Sequence, residues 1–197
     1  MKSFAVEYLS SEVTEHMCPV VRDFFIHVYE HPENFLEATQ DSHSPLIKFQ
    51  LALKKIPNWT NTQIKKQIDE ITTRCSWFKQ LLVGLFVAYV NTISDGIRTS
   101  SRGKRLHVKL PSDETFVHTC FVTCASDLYE DPYIMKEPEK KRDAELDKRL
   151  YECIIKSIRK LIPTREILNE HIPISNDTVC LNDDEIEEEP KTIHEEE

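Results

Sequence analysis

Apolar residues recur at intervals of three and four along most of this chain, which is the spacing of one face of an α-helix. The first series comprises Phe4, Tyr8, Met17, Val21, Phe24 and Val28. It predicts a helical region over residues 1–31, which Pro32 closes. Pro19 lies inside this region, and proline removes a backbone donor and clashes with the preceding turn. We therefore expect a break or kink at Cys18-Pro19.

Capping residues predict where the next helices begin. After a polar stretch at residues 33–43, Ser44 is suited to the N-cap position and Pro45 to the first position of a second helix. Thr60 and Gln63 predict a capping box at the start of a third helix, which ends near residue 75. The residue before that cap is Trp59, whose ring we expect to pack on Ile64 as a hydrophobic staple.

Residues 77–93 are the most apolar stretch of the chain. A membrane span needs about 20 apolar residues, whereas Lys79, Gln80 and Asn91 confine the fully apolar run to residues 81–90. The pattern favours a buried helix at the centre of the fold, ended by Asp95-Gly96, and no membrane insertion.

The C-terminal half predicts three more helices. Ser112 caps one that ends at Asp131-Pro132, Pro138 opens a long one, and Thr164 caps a short last helix through Ile172. The apolar face of the long helix comprises Leu146, Leu150, Cys153, Ile154, Ser157 and Leu161. The predicted fold is therefore all-α, a single globular bundle of about six or seven helices over residues 1–172. Only three glycines occur, which agrees with few tight turns.

Charge is concentrated at the C-terminus. Of the net charge of −9, residues 181–197 carry nine acids and one lysine, a balance of −8, which leaves −1 for residues 1–180. Residues 173–197 also lack apolar periodicity, so we predict a disordered acidic tail. The acidic N-terminal segment lacks the apolar stretch of a signal peptide. Without secretion, free thiols are favoured over disulfides for the six cysteines.

Two groups of residues resemble metal sites. His27, Glu30 and His31 form His-x-x-Glu-His, the inverted zinc-protease signature. Pro32 follows at once, so we expect the helix to end inside the motif, and no third ligand stands out. His118, Cys120 and Cys124 form the second group, but no second pair of ligands accompanies them. Two polar residues at a helix end, and two thiols buried in a core, are the favoured interpretations. We expect no metal or other cofactor.

Residues 98–109 contain five cations and no acid, namely Arg98, Arg102, Lys104, Arg105 and Lys109. Cations in a loop bind phosphates, so these residues are the candidate contacts for an anion or nucleic acid. The loop lacks the aromatic residues that stack on bases, which favours a solvated cationic linker. The alternating LHVKL sequence inside it predicts a short extended piece.

Four segments together resemble a known family: FQLALKKIPNWTNTQI, RCSWFKQLLVGLFVAYVNTI, FVHTCFVTCASDLYEDPYIM and IRKLIPTREIL. They are similar to an uncharacterised protein family of nucleocytoplasmic large DNA viruses, including giant amoebal and algal viruses. The resemblance covers residues 48–172, so the His-x-x-Glu-His motif and the acidic tail lie outside it. It implies a helical fold, no assigned activity and no catalytic residues.

These observations favour a non-catalytic viral protein that acts through protein–protein contacts, with virion association or a role in assembly as the context. The expected location is the cytoplasm of the host cell or the virion, and the expected partner is a protein, such as a virion component. Two alternatives stay open. One is a nucleic-acid-associated protein that uses the basic loop, with weak binding, and the other is an enzyme with a cryptic thiol or metal site.

Overall fold

The computed structural model describes residues 4–36, 43–97 and 108–171. Seven α-helices lie in these ranges, and the same ranges contain no β-strand. In chain order they are α1 (Phe4–Glu30), α2 (Pro45–Leu53), α3 (Asn61–Arg74), α4 (Phe78–Ile97), α5 (Asp113–Glu130), α6 (Glu139–Leu161) and α7 (Thr164–His171). The prediction of an all-α bundle with six or seven helices is confirmed. The predicted acidic tail at residues 173–197 lies outside the described residues.

Helix α1 lies at the centre of the bundle. It packs against α2, α3, α4 and α6, and Val13, Met17, Val21 and Phe25 on it are completely buried. Of the predicted break or kink at Cys18-Pro19, the break does not occur, because the helix is continuous through Pro19. Neighbours on several sides bury successive turns of α1, and this packing outweighs the loss of one backbone hydrogen bond.

The prediction that residues 77–93 form the central helix is also wrong. Helix α4 packs mainly against α1 and α7, and it buries one face through Leu81, Leu82, Leu85 and Phe86. Its opposite face is open to solvent. By length and composition α4 is the one helix in the described part of the chain that is apolar enough to cross a membrane, and 33% of its most apolar window is buried within the bundle.

The predicted helix starts are mostly confirmed. Ser44 occupies the N-cap position of α2 with Pro45 as its first residue, although the Ser44 side chain makes no capping hydrogen bond. Thr60 and Gln63 form the complete capping box of α3, and Ser112 accepts a hydrogen bond from the backbone of α5.

The start of α7 differs from the prediction. Thr164 is the first residue of α7 rather than its cap. Pro163 takes the cap position because its carbonyl accepts the first hydrogen bond of the helix, from the backbone of Ile167 at 3.1 Å. Residues 108–110, the described part of the LHVKL sequence, form no strand.

Helices α5 and α6 pack antiparallel. Thr123 on α5 bonds to Ser157 on α6, and Asp127, one turn later on α5, bonds to Arg149, two turns earlier on α6. Arg149 also donates to the carbonyl of Asp127 at 2.9 Å and to that of Asp131 at 3.2 Å. The guanidinium therefore satisfies backbone acceptors at the end of α5, where a cation also suits the helix dipole.

Candidate functional site

Within the described residues, the solvent-facing side of α4 is an uncharged surface with exposed aliphatic side chains. Val83 is 48% exposed and Val87, one turn later, is 42% exposed. Gln80 and Asn91 are exposed on the same side, and Gly84 and Ala88 are half-buried between them. We call these six residues the α4 outer face. No charged residue occurs from residue 80 to residue 94, so the apolar centre of this face lacks the charges that usually keep a helix surface solvated.

Side chains of α1 flank the α4 outer face. A Cβ atom placed on Gly84 would lie 3.9 Å from Leu9 Cδ1, and the ring of Trp77 lies edge-on to His16 with centroids 5.9 Å apart. These two contacts show that α1 and α4 run antiparallel. Near the N-terminus of α1, the exposed rings of Phe4 and Tyr8 stack with centroids 6.0 Å apart.

The antiparallel arrangement places Phe4 and Tyr8 towards the C-terminal half of α4. Trp77, which is 47% exposed, lies at its other end. Exposed aromatic side chains therefore lie near both ends of the length of α4. The sequence contains a signal for this surface. In residues 77–93 apolar side chains occur on all sides of the helix, whereas burial of a single face requires them on one side only.

The His-x-x-Glu-His motif lies at the end of α1. The helix ends at Glu30, inside the motif, as predicted. The imidazole rings of His27 and His31 have centroids 5.0 Å apart, and His31 Nδ1 lies 3.2 Å from a carboxylate oxygen of exposed Glu33. In the described ranges no group of three or more His, Cys, Asp or Glu side chains is placed to hold a metal ion.

The structure separates His118 from the two thiols that follow it. His118 Nε2 lies 3.1 Å from the carbonyl oxygen of Ile56, and its ring stacks on Trp59 with centroids 6.4 Å apart. Cys120 and Cys124 point into the core and are completely buried, as predicted. Burial raises the pKa of both thiols, because a thiolate loses its hydration in an apolar core.

Two further thiols lie near this pair, and sequence reasoning did not connect them to it. Cys153 on α6 faces α5, and Cys18 on α1 is half-buried beside the same cluster. Burial is the main cause that raises the pKa of Cys18 to about 12. The sequence signal for Cys153 is its position on the apolar face of the long helix. That position predicts burial of Cys153 but does not show which residue it faces.

The candidate anion contacts are largely outside the described residues. Arg98, Arg102, Lys104 and Arg105 lie in the undescribed range 98–107, directly after α4, so their placement is not established. Lys109 is described and is exposed. The structure therefore does not test whether the five cations converge.

Residues 5–136 match one protein family, a family of unknown function (DUF5764). This match covers α1 to α5, including both the α4 outer face and the buried thiols of α5. No curated protein and no solved structure matches the chain.

Proposed function

Since the chain belongs to the DUF5764 family, whose function is unknown, we propose that it is a non-catalytic viral protein that acts through protein–protein contacts made by the α4 outer face. The observation that supports the proposal is the exposure of Val83 and Val87 on a helix face that carries no charge. Burying these two valines removes apolar surface from water, which favours association. Neither the described residues nor the family match indicates catalytic activity.

The occupant that we propose for this face is a second copy of the chain. Read in either direction along α4, the face runs from a polar amide through two pairs of small or branched residues to another polar amide. If two copies of α4 pack antiparallel about a two-fold axis, Gln80 lies opposite Asn91 of the second copy. Val83 then faces Ala88, and Val87 faces Gly84, so each larger side chain meets a smaller one. A two-fold interface needs this kind of self-complementary surface.

The size of the face predicts a weak dimer. From Gln80 to Asn91 the helix advances about 17 Å, and its exposed strip is smaller than the roughly 800 Å² per partner of a standard interface. We expect a dissociation constant on the order of 10–100 μM, because such a small area leaves little surplus after the entropic cost of association. A weak contact of this kind suits a component that assembles at high local concentration.

Sedimentation velocity of the full-length protein tests the proposal. We expect the wild type to shift from monomer to dimer between about 1 and 500 μM, and V83D combined with V87D to weaken the dimer by at least tenfold, since burying two carboxylates is costly. The matched control is Ile47→Asp, which replaces an exposed aliphatic residue on α2 and is expected to leave the dimer unchanged. A wild-type chain that stays monomeric, or a dimer that survives the double substitution, contradicts the second-copy assignment.

Vesicle flotation provides the opposing outcome. We expect the protein to remain in the aqueous fraction when it is mixed with neutral or anionic vesicles. A second copy of the chain would already bury the apolar centre of the α4 outer face, so no apolar surface is left to insert into the lipid. Flotation that V83D with V87D abolishes identifies a lipid surface as the occupant and overturns the protein contact.

The resemblance to proteins of large DNA viruses supports a role in virus assembly in the host-cell cytoplasm or in the virion. Crosslinking in infected cells, followed by mass spectrometry of purified particles, tests this context. Crosslinks through Lys79 or Lys109 to another copy or to a virion component are expected. A chain found only away from assembling particles contradicts it.

A second candidate function is nucleic-acid association through residues 98–109. The observation that favours it is a run of five cations without an acid, which follows directly on α4. Binding to DNA or RNA would then weaken steeply as salt increases. Binding that is independent of salt, or unchanged when Arg102, Lys104 and Arg105 are neutralised, excludes this candidate.

A further inference from the structure

The hydrogen bonds between α5 and α6 place two cysteines opposite each other. Ser157 Oγ lies 3.0 Å from Thr123 Oγ1 on one side of the pair. Arg149 Nε lies 2.7 Å from Asp127 Oδ2 on the other side. Cys153 lies one turn from both Ser157 and Arg149 on α6, and Cys124 lies between their two partners on α5. These flanking hydrogen bonds make the two thiols face each other across the interface between α5 and α6.

Only one of the two thiols has access to the surface. Cys153 lies at the wall of an open pocket of about 380 Å³, together with Asp127, Arg149 and Lys156. Cys124 is completely buried and does not line this pocket. A small reagent that enters the pocket therefore meets Cys153 first, whereas Cys124 is shielded in the core.

The surroundings also distinguish the two thiols. The Cys124 thiol, as a hydrogen-bond donor, is the main cause that lowers the pKa of Cys153. Burial and the charge of Asp127 raise this pKa, and the cations Lys156 and Arg149 lower it. Burial raises the pKa of Cys124 well above its usual range. A thiolate is the reactive form of cysteine, so the direction of these pKa shifts agrees with the pocket geometry, in which Cys153 is the thiol that a reagent reaches.

We propose that Cys153 is a site of oxidation by hydrogen peroxide and that Cys124 resolves the product, so that a disulfide joins α5 to α6. The Cys153 thiolate attacks one peroxide oxygen, the O–O bond breaks, and the departing hydroxide takes a proton to become water. Cys153 is then a sulfenic acid. The Cys124 sulfur attacks the Cys153 sulfur, the S–O bond breaks, and a second water leaves with the Cys124 proton. Two thiols lose two electrons in total, and one peroxide becomes two waters.

The disulfide would covalently connect α6, which carries Arg149, to α5, whose C-terminal end Arg149 binds. The modification is independent of the α4 outer face, which lies on another helix, so it does not rest on the proposed function. Reduction by a dithiol would restore the starting state, since a disulfide formed in this way is reversible.

Peptide mapping of the full-length protein tests the proposal. The folded chain is treated with a small excess of hydrogen peroxide, unreacted thiols are alkylated, and non-reduced peptides are identified by mass spectrometry. We expect a crosslink between the Cys124 and Cys153 peptides, with its yield reduced at least tenfold in C124S and in C153S. Cys75→Ser is the matched control, because Cys75 is also buried in the core and we expect the crosslink to form normally in it.

A trapping experiment covers the case in which the disulfide is slow. In C124S the sulfenic acid on Cys153 has no resolving partner, so dimedone is expected to label Cys153 and none of the other buried cysteines. Circular dichroism verifies that each variant is folded. The proposal is overturned if the crosslink joins Cys120 to Cys124, if peroxide leaves both Cys124 and Cys153 reduced, or if dimedone does not label Cys153 in folded C124S.

Discussion

At the scale of single residues, the two tryptophans of this chain have different environments. Trp59 is half-buried and packs against Phe24 and Phe121 with ring centroids 5.3 and 5.2 Å away, so it joins α1 to α5 at the turn before α3. Trp77 is 47% exposed and has His16 as its aromatic neighbour. Both residues precede a helix, and the sequence does not distinguish their burial.

This difference predicts unequal costs of truncation. Trp59→Ala should lower the free energy of unfolding by roughly 3 kcal/mol, because the surrounding rings lose their contacts and a cavity remains. Trp77→Ala should change it by less than about 1 kcal/mol, as is usual for surface positions. Urea denaturation of both variants provides the measurement. Equal losses would show that the aromatic cluster around Trp59 does not stabilise the bundle as we describe.

At the scale of the element, α1 is the helix that the sequence describes least well. Its proline indicates an interruption, yet the helix is continuous from Phe4 to Glu30. Arg22 on the surface of α1 forms an ion pair of 2.8 Å with Asp147 on α6. The fully buried residues Met17 and Val21, on either side of Pro19, pack this part of α1 into the core. The proline is therefore tolerated at a cost that the neighbouring helices offset.

We predict that Pro19→Ala raises the free energy of unfolding by about 1–2 kcal/mol. Alanine restores a backbone donor within the helix and removes the ring clash, whereas the unfolded chain gains some freedom that reduces the benefit. Pro45→Ala is the matched control, because Pro45 is the first residue of α2. A backbone N–H at that position has no partner within the helix, so proline there removes no hydrogen bond. Thermal and urea denaturation compare the two. A P19A chain that is no more stable than the wild type, or that gains no more than P45A, would contradict the prediction.

At the scale of the whole molecule, the charge distribution separates the chain into two parts. Residues 1–180 have a net charge of −1 and residues 181–197 a net charge of −8. We hypothesise that the acidic segment attracts the basic residues at 98–109, because the two segments carry opposite charges. Individual exposed ion pairs contribute at most about 1 kcal/mol, so the attraction would be weak and would decrease with salt.

This arrangement predicts that deleting residues 181–197 strengthens binding to DNA and RNA at low salt. Fluorescence anisotropy at two salt concentrations measures the effect, with the full-length chain as reference. In the truncated chain, neutralising Arg102, Lys104 and Arg105 should abolish the gain. Equal binding by the two lengths would exclude masking by the acidic segment and would leave only a solubilising role for it.

The sequence by itself determined the class of the fold and most helix ends. The residues that begin a helix act within one turn of their own position, so helix starts can be inferred from neighbouring residues alone. Examples are Ser112, Pro138, and Thr60 with Gln63. The end of α1 inside the His-x-x-Glu-His motif was predicted for the same reason, because Pro32 restricts the residues directly before it. Burial of Cys120 and Cys124 followed from their spacing on one helix face.

Only the tertiary structure decided which helix is central and which side chains meet. Periodicity shows that a helix has an apolar face, but not how many neighbours cover it. The sequence therefore indicates α4 as the centre and a break or kink in α1, whereas α1 is central and continuous. The opposition of Cys124 and Cys153 and the exposure of Val83 and Val87 depend on how α5 packs on α6 and α1 on α4. Those contacts join residues far apart in the chain, and their geometry is fixed by packing rather than by any local preference.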